Sequence, residues 1–423
     1  MQNNKQENLP FSRPYIGKEE EDAVLRVLRS GWLTTGKETL DFENDFTNFL
    51  QNPKGTESKD SGKEELYCMA VNSATSGLHL ALEACGIGAG DLVLIPSMTF
   101  TATAEVVRYL GAEIVFVDVL KDGFNMDPAA LESTLERLKK ENPKSGNPKA
   151  VMPVHYGGFP CDMKAILSIA KKYNLKVIED AAHSFPSIIS FSPLSTASDS
   201  VSPAFAGTIG DIGVFSFYAT KTITTGEGGM VVTRDKTYAE RIRIMRSHGI
   251  DRSVWNRYTD TKASWYYQVV APGFKYNIPD ILSALGRVQL SRAMELLDMR
   301  LKIARMYDEA FAQDSHFSIP PTGKGDARHL YPLRLNLDKL TINRNEFAAK
   351  MQEQGIGISV HFIPLHTMPY YKERYSLKDE DLTETIKSYN RVISLPIWPG
   401  MTDAETQRVI KVVKTLGSEY TVK

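Results

Sequence analysis

The stretch Asp162-Met-Lys-Ala-Ile-Leu-Ser-Ile-Ala-Lys-Lys-Tyr-Asn-Leu-Lys-Val-Ile-Glu-Asp-Ala-Ala-His183 decides the fold. Its first part, DMKAILSIAKKYN, is amphipathic and long enough for a crossover helix. Its second part, LKVIED, is an apolar strand whose C-terminal end presents Glu179, Asp180 and, just past it, His183. A helix followed at once by a strand apolar on both faces is the repeating unit of a parallel sheet covered on both sides. Working outward, further strand candidates lie at Tyr67–Val71, Leu92–Pro96, Glu113–Val119, Ala150–His155, Val214–Tyr218 and Met230–Thr233. Segments such as SGLHLALEACG and PAALESTLERLKK lie between them, and this alternation predicts one large α/β layer with a mainly parallel sheet.

After Asn277 the pattern changes. Ile278 to about Phe311 reads as one long helix, with Ile281, Leu285, Val288, Leu296 and Leu297 at helical spacing. A strand candidate (LYPLRLNL), a helix (NRNEFAAKMQEQG), a second strand (GISVHF) and a closing helix (Ala404–Leu416) follow. They predict a smaller C-terminal α/β domain over residues 276–423 beside a large domain over 12–275. The N-terminal helix Lys18–Arg29 is expected to pack with the smaller unit. Two stretches read as insertions: the charged Asn52–Glu65, and Ser187–Gly207, rich in Ser, Pro and Ala.

The 423 residues carry 50 Lys plus Arg against 51 Asp plus Glu, a net charge of −1. That balance gives no general drive toward nucleic acid or an anionic membrane. The first residues, MQNNKQENLPFSRP, lack the apolar core of a secretory signal, and no apolar run approaches the ~18–20 residues that span a bilayer. Cys68, Cys85 and Cys161 are odd in number, spaced unlike zinc ligands and set among apolar neighbours, which fits packed free thiols in a reducing compartment. A cytoplasmic protein with no membrane or nucleic-acid partner is expected.

Four segments carry chemistry. Val71-Asn-Ser-Ala-Thr-Ser-Gly77 follows a strand and opens a helix, so its small residues form an ordinary cap, the reading favoured on this segment alone, or leave N–H groups for a phosphate. Asp180 ends a strand, where ligands meet open sheets, and is as well suited to capping a helix. In Gly210–Gly229 (GDIGVFSFYATKTITTGEGG), Lys221 lies between two strand candidates, after aromatics and Ser216 and before three glycines. A lysine shielded from water has a depressed pKa, as imine formation with an aldehyde requires, whereas a hairpin-surface lysine would need none of those neighbours. The fourth segment, Pro272–Asp280 (PGFKYNIPD), precedes the long helix.

Together these segments resemble the pyridoxal-phosphate sugar aminotransferases of the DegT/StrS type. The resemblance runs from about Arg13 to Leu416, through SGWLTTGK, VNSATSGLHLAL, PSMTFTATA, VIEDAAHS, FSFYATKTITTGEGG, GFKYNIPDILSALG and GIGISVHFIPLH in family order. The GFKYN and VHF segments look closest to the branch that includes the UDP-4-amino-4-deoxy-L-arabinose–oxoglutarate aminotransferase. The resemblance implies the type I pyridoxal-phosphate aminotransferase fold and a homodimer with active sites at the subunit interface. It implies that Lys221 joins the aldehyde of pyridoxal 5'-phosphate as an imine and then moves protons, and that Asp180 pairs with the pyridine nitrogen. His183 would lie near the cofactor ring and Phe100 would stack on it. The Ala74 and Thr75 backbone, Ser216 and Asn277 of the other subunit would hold the phosphate. Thr35 and His361 would face the sugar. His361 and His366 have no convergent Cys or carboxylate, so no metal is expected.

The activity so implied converts a keto group on a nucleotide-linked sugar to an amine, with glutamate as donor, for surface polysaccharide or lipopolysaccharide biosynthesis. Same-fold sugar dehydratases replace the lysine by histidine, whereas this chain keeps Lys221. Intact Lys221 and Asp180 also weigh against a non-catalytic regulatory relative.

Overall fold

The computed structural model describes residues 8–52, 65–141, 146–190, 203–251, 266–321, 323 and 325–423. Seven strands form one sheet: β1 (Tyr67–Val71), β2 (Asp91–Pro96), β3 (Glu113–Val117), β4 (Asn147–Val151), β5 (Lys176–Asp180), β8 (Ile212–Ser216) and β9 (Gly229–Thr233). Their order is β1-β9-β8-β5-β4-β2-β3, and β6 (Ile188–Ile189) pairs separately with β7 (Ala204–Phe205). Neighbours from β8 through β3 run parallel, and β9 lies antiparallel to both β8 and β1. The mainly parallel sheet read from the sequence is present, with one reversed strand. The Ser187–Gly207 stretch contributes the β6–β7 pair, and its residues 191–202 lie outside the described ones, as do 53–64 of the other insertion.

Helices cover both faces. The first four are α1 (Lys18–Ser30), α2 (Lys37–Gln51), α3 (Ala74–Ala84) and α4 (Ala102–Tyr109), of which α3 and α4 border the site. Ser73 caps α3 by accepting the Ser76 N–H at 3.1 Å. The helix lies so close to β8 that a Cβ on Gly77 would meet Val214 Cγ1 at 2.7 Å. Next come α5 (Pro128–Glu141), α6 (Met163–Tyr173) and α7 (Lys236–Met245).

The run expected to form one helix from Ile278 to Phe311 is two, α8 (Asp280–Ser291) and α9 (Ala293–Phe311). They meet at Arg292 (φ −101°, ψ 5°), whose guanidinium binds Glu20 at 2.9 Å and Glu295 at 3.1 Å. The two halves have different partners. Leu290 joins the aromatic cluster around Phe42, Phe46 and Phe215, whereas Ile303, Tyr307 and Phe311 pack on a second, three-stranded sheet. One apolar periodicity thus serves two cores. The N-terminal helix α1 packs on α8.

The second sheet has the order β10 (Phe317–Ser318), β11 (Tyr331–Leu335), β12 (Val392–Leu395), all antiparallel. The GISVHF segment, expected as a strand, makes one bridge, Ser359 to Ser394, and Val392–Leu395 takes the edge instead. His361, two residues after that bridge, lines the cavity described below. The remaining helices are α10 (Arg344–Glu353), α11 (Pro369–Tyr375), α12 (Thr383–Arg391) and α13 (Asp403–Glu419). Among the described residues no helix is long and apolar enough to cross a membrane. The three cysteines are free thiols, with Cys68 and Cys161 buried.

Candidate active site

A cavity of about 460 Å³ opens at the carboxyl ends of the parallel strands, where open α/β sheets bind ligands. The end of β5 delivers Asp180 to it, the loop after β8 delivers Lys221, and the start of α3 delivers Ala74 and Thr75. Phe100, His183, Ser216 and His361 also line it. Eight residues singled out in the sequence therefore share one space, although they come from five separate segments.

Strand alternation separates the two carboxylates of β5. Asp180 Oδ2 accepts the Thr103 hydroxyl at 2.8 Å, and its Oδ1 accepts the Ala182 N–H at 3.2 Å. Burial pushes its pKa up, opposed by those two donors and by Lys221. Glu179 faces away from the cavity. It accepts the N–H groups of Gly207 (2.9 Å), Ile209 (2.7 Å) and Gly210 (2.7 Å), and pairs with His155 Nε2 at 2.9 Å. Full burial works to raise its pKa, but His155 and the backbone donors hold it below the usual range. Glu179 thereby braces the loop that leads into β8.

Lys221 brings an amine to the cavity. Its backbone N–H binds Tyr218 O at 2.9 Å, fixing the turn, while its Nζ makes no hydrogen bond among the described residues. Burial pushes the amine down to about 8, with Asp180 opposing the shift and Arg300 adding to it. A buried amine near neutrality beside an ionisable carboxylate fits an aldehyde cofactor that carries a ring nitrogen.

The phosphate end fits as well. Ala74 and Thr75 lie in the first turn of α3, so their N–H groups have no intrahelical acceptor, and the helix dipole favours an anion there. Ser216 Oγ accepts the Tyr218 N–H at 3.3 Å, which leaves the hydroxyl proton to donate. Phe100 is 57% exposed at the cavity mouth, an open aromatic face for a planar ring, with Phe362 beside it at 6.1 Å.

His183 Nδ1 accepts the Gly157 N–H at 3.2 Å, so in the neutral ring Nε2 carries the proton. Burial holds His183 well below its ordinary pKa and brings His361 down to about 4, so both stand as neutral imidazoles. Thr35 and Asn277 do not line the cavity. They meet each other, Asn277 Nδ2 donating to Thr35 Oγ1 at 2.6 Å, while Asn277 Oδ1 is buried without a hydrogen-bond partner. Among the described residues no group of three or more His, Cys, Asp or Glu could hold a metal.

Sequence reasoning missed three contributors. Thr103 lies four residues after Thr99, a spacing that puts both hydroxyls on one face, and that signal was readable. His329 lines the cavity 4.6 Å from the His183 ring with its Nδ1 unpartnered, and nothing in the sequence links the two. Arg300 sits within a helix pattern and carries no local sign of its neighbours.

Comparison with known proteins agrees. The model of the DegT/DnrJ/EryC1/StrS aminotransferase family matches residues 14–414. The spore coat polysaccharide biosynthesis protein SpsC of Bacillus subtilis (strain 168) is 39% identical over 412 residues, 96% of this chain and 97% of SpsC. The putative sugar aminotransferase Spr1654 from Streptococcus pneumoniae superimposes in its PMP form with a TM-score of 0.82 at 28% identity, covering 97% of this chain and 100% of that one. Its PLP form gives 0.80 at 28% identity, covering 97% and 99%. Helicobacter pylori PseC, an aminotransferase involved in the biosynthesis of pseudoaminic acid, gives 0.81 at 26% identity over 98% of this chain and 100% of PseC.

Proposed function

The chain belongs to the DegT/DnrJ/EryC1/StrS aminotransferase family, a family of pyridoxal-phosphate-dependent sugar aminotransferases with the type I fold, and on that premise we propose its substrates and residue roles. It converts a nucleotide-linked keto-sugar to an amino-sugar, takes the nitrogen from glutamate, and works in the cytoplasm as a homodimer with both active sites at the subunit interface. The product feeds a surface polysaccharide or lipopolysaccharide, a reading supported by the names of SpsC and PseC. The single observation that carries it is the buried Lys221 amine sharing one cavity with Asp180.

Pyridoxal phosphate, when bound, supplies an aldehyde that takes up amino groups and a ring that accepts electrons from the bond being broken. Lys221 Nζ would hold the cofactor at its aldehyde and would serve as the base and acid that moves the proton at the substrate carbon. Asp180 keeps the ring nitrogen protonated. The Ala74 and Thr75 N–H groups and the Ser216 hydroxyl bind the phosphate, with Asn277 of the second subunit completing the site. Phe100 would cover the ring and limit water, and His183 Nε2–H would be free to donate to the cofactor. His361 would contact the sugar from this cavity, and Thr35, which stands beside Asn277 rather than in it, would do so from the second subunit.

Borohydride reduction followed by peptide mapping should find the pyridoxyl group on Lys221, and a panel of UDP- and dTDP-linked 3-keto and 4-keto sugars with glutamate should yield one amino-sugar. An adduct elsewhere, or no turnover across the panel, overturns the reading.

A further inference from the structure

Arg300 on α9 is 1% exposed, yet among the described residues no carboxylate reaches it. Its guanidinium is held by three backbone carbonyls: His329 O (3.2 Å) and Ile397 O (3.0 Å) from Nη1, and Lys221 O (3.5 Å) from Nη2. Its Nε is buried with no hydrogen-bond partner. Withdrawing a cation from water against neutral carbonyls is unfavourable by several kcal/mol, and an apolar side chain of similar volume would usually be the more stable choice. Stability alone therefore does not account for an arginine here.

Its placement does. The three carbonyls belong to the loop after β8, the approach to β11 and the segment after β12, so one side chain ties the Lys221 loop to the second sheet. The groups facing Lys221 are Asp180 from β5, the imidazoles of His183, His329 and His361, and Arg300. Asp180 draws the amine toward its charged form. Among those groups Arg300 is the cation that opposes it.

We propose that Arg300 is a positioning residue for Lys221: through the Lys221 carbonyl it ties the base of the lysine side chain to the second sheet, and its buried positive charge opposes a second charge on Nζ. The inference rests on the assignment of Lys221 as the cofactor-binding amine. Lysine at position 300 would keep the charge and lose the fork, because an ammonium is a point donor, whereas Arg300→Gln and Arg300→Met remove the charge.

The test uses full-length, cofactor-free protein. Trace labelling with acetic anhydride across pH, read by mass spectrometry at Lys221, gives the titration midpoint of the amine. Arg300→Gln and Arg300→Met should raise that midpoint, and Arg300→Lys should leave it near the wild-type value. In a second measurement, pyridoxal phosphate is added and the adduct trapped with borohydride over time. Arg300→Lys should form the Lys221 adduct several-fold more slowly, because two of the three anchoring carbonyls are released. Folded Gln or Met variants with an unmoved midpoint overturn the electrostatic role. An Arg300→Lys protein with the wild-type rate overturns the clamp, even if the other variants do not fold. Wild-type protein that traps no adduct at Lys221 defeats the functional reading itself, whereas an adduct with unmoved variants defeats the Arg300 assignment alone.

Discussion

The Thr103 hydroxyl stands 2.8 Å from Asp180 Oδ2 and 2.7 Å from the hydroxyl of Thr99. A hydroxyl has one proton, so Thr103, in donating to the carboxylate, becomes the acceptor for Thr99. Two hydroxyls thus run in series into one buried acid. Burial drives Asp180 toward its neutral form, and this series works against it.

Thr103→Val keeps the shape and deletes the donor. Turnover should fall by about 10–100-fold, the range seen when a group supporting a reactive ligand is lost, and the acid limb of the kcat/KM profile should move to higher pH. Thr103→Ser should restore both. A Val variant with the wild-type pH profile would show that the contact has no bearing on Asp180.

Asp180→Asn should abolish turnover yet stabilise the cofactor-free protein at neutral pH. The folded pKa of Asp180 is raised, so its contribution to stability is full below the unfolded value of about 3.9 and is lost as the pH rises through the folded value. Urea melts of the variant at pH 7 should exceed wild type, and the gain should vanish below about pH 4. Equal melts at both pH values would contradict this.

Lys221→Met carries the opposite pH signature. The folded amine titrates near 8 against an unfolded value of about 10.4, so cofactor-free wild type bears a charging penalty of up to about 3 kcal/mol below pH 8. The inactive variant should be the more stable protein at pH 7, with the difference closing as the pH approaches 10.5. Denaturant titrations at three pH values give the check.

Glu179→Ala should leave the N–H groups of buried Gly207 and Ile209 and of half-buried Gly210 without their acceptor. A loss of about 3–5 kcal/mol is expected, the scale for removing one partner of a buried charged pair. Glu179→Gln should lose less. Because the depressed Glu179 pKa stabilises the fold above about 4.3 and ceases to as pH falls through the folded value, wild type should lose more stability than Glu179→Gln on acidification. Calorimetric melts at pH 7 and pH 4 decide the matter.

Asn277→Ala should weaken cofactor binding, and mixed dimers locate the contact. If Asn277 serves the opposite site, a heterodimer of Asn277→Ala and Lys221→Ala subunits has one intact site and should recover about half of wild-type turnover. If it serves its own subunit, every site carries a defect and turnover stays near that of the parents.

The alternation around β5 was legible because Val177 and Ile178 must be apolar when a strand is covered on both faces. Lys221 and Asp180 were legible because a lysine among glycines and an acid at a strand end each invite a chemical explanation. The break at Arg292 was not, because the apolar spacing continues through it and the cause is an ion pair with Glu20, 272 residues away. The edge strand β12 was hidden for a similar reason. VISL and GISV suit an edge equally well by composition, and tertiary contacts chose between them. His329 and Arg300 enter the site through the second sheet, a relation that has no local signature.

Asp280 accepts the Gly36 and Thr39 N–H groups at 2.7 and 3.0 Å, across a separation of 244 residues in the first case. Phe42 of α2 packs so tightly on α8 that a Cβ on Gly286 would meet its ring at 2.8 Å. During synthesis at about 5–20 residues per second, the aromatic face of α2 waits roughly 10–50 s for those partners to leave the ribosome. Until then the contacts of α2 with α8 are unmade, so the docking of α2 is completed only once a segment 241–244 residues later has been synthesised.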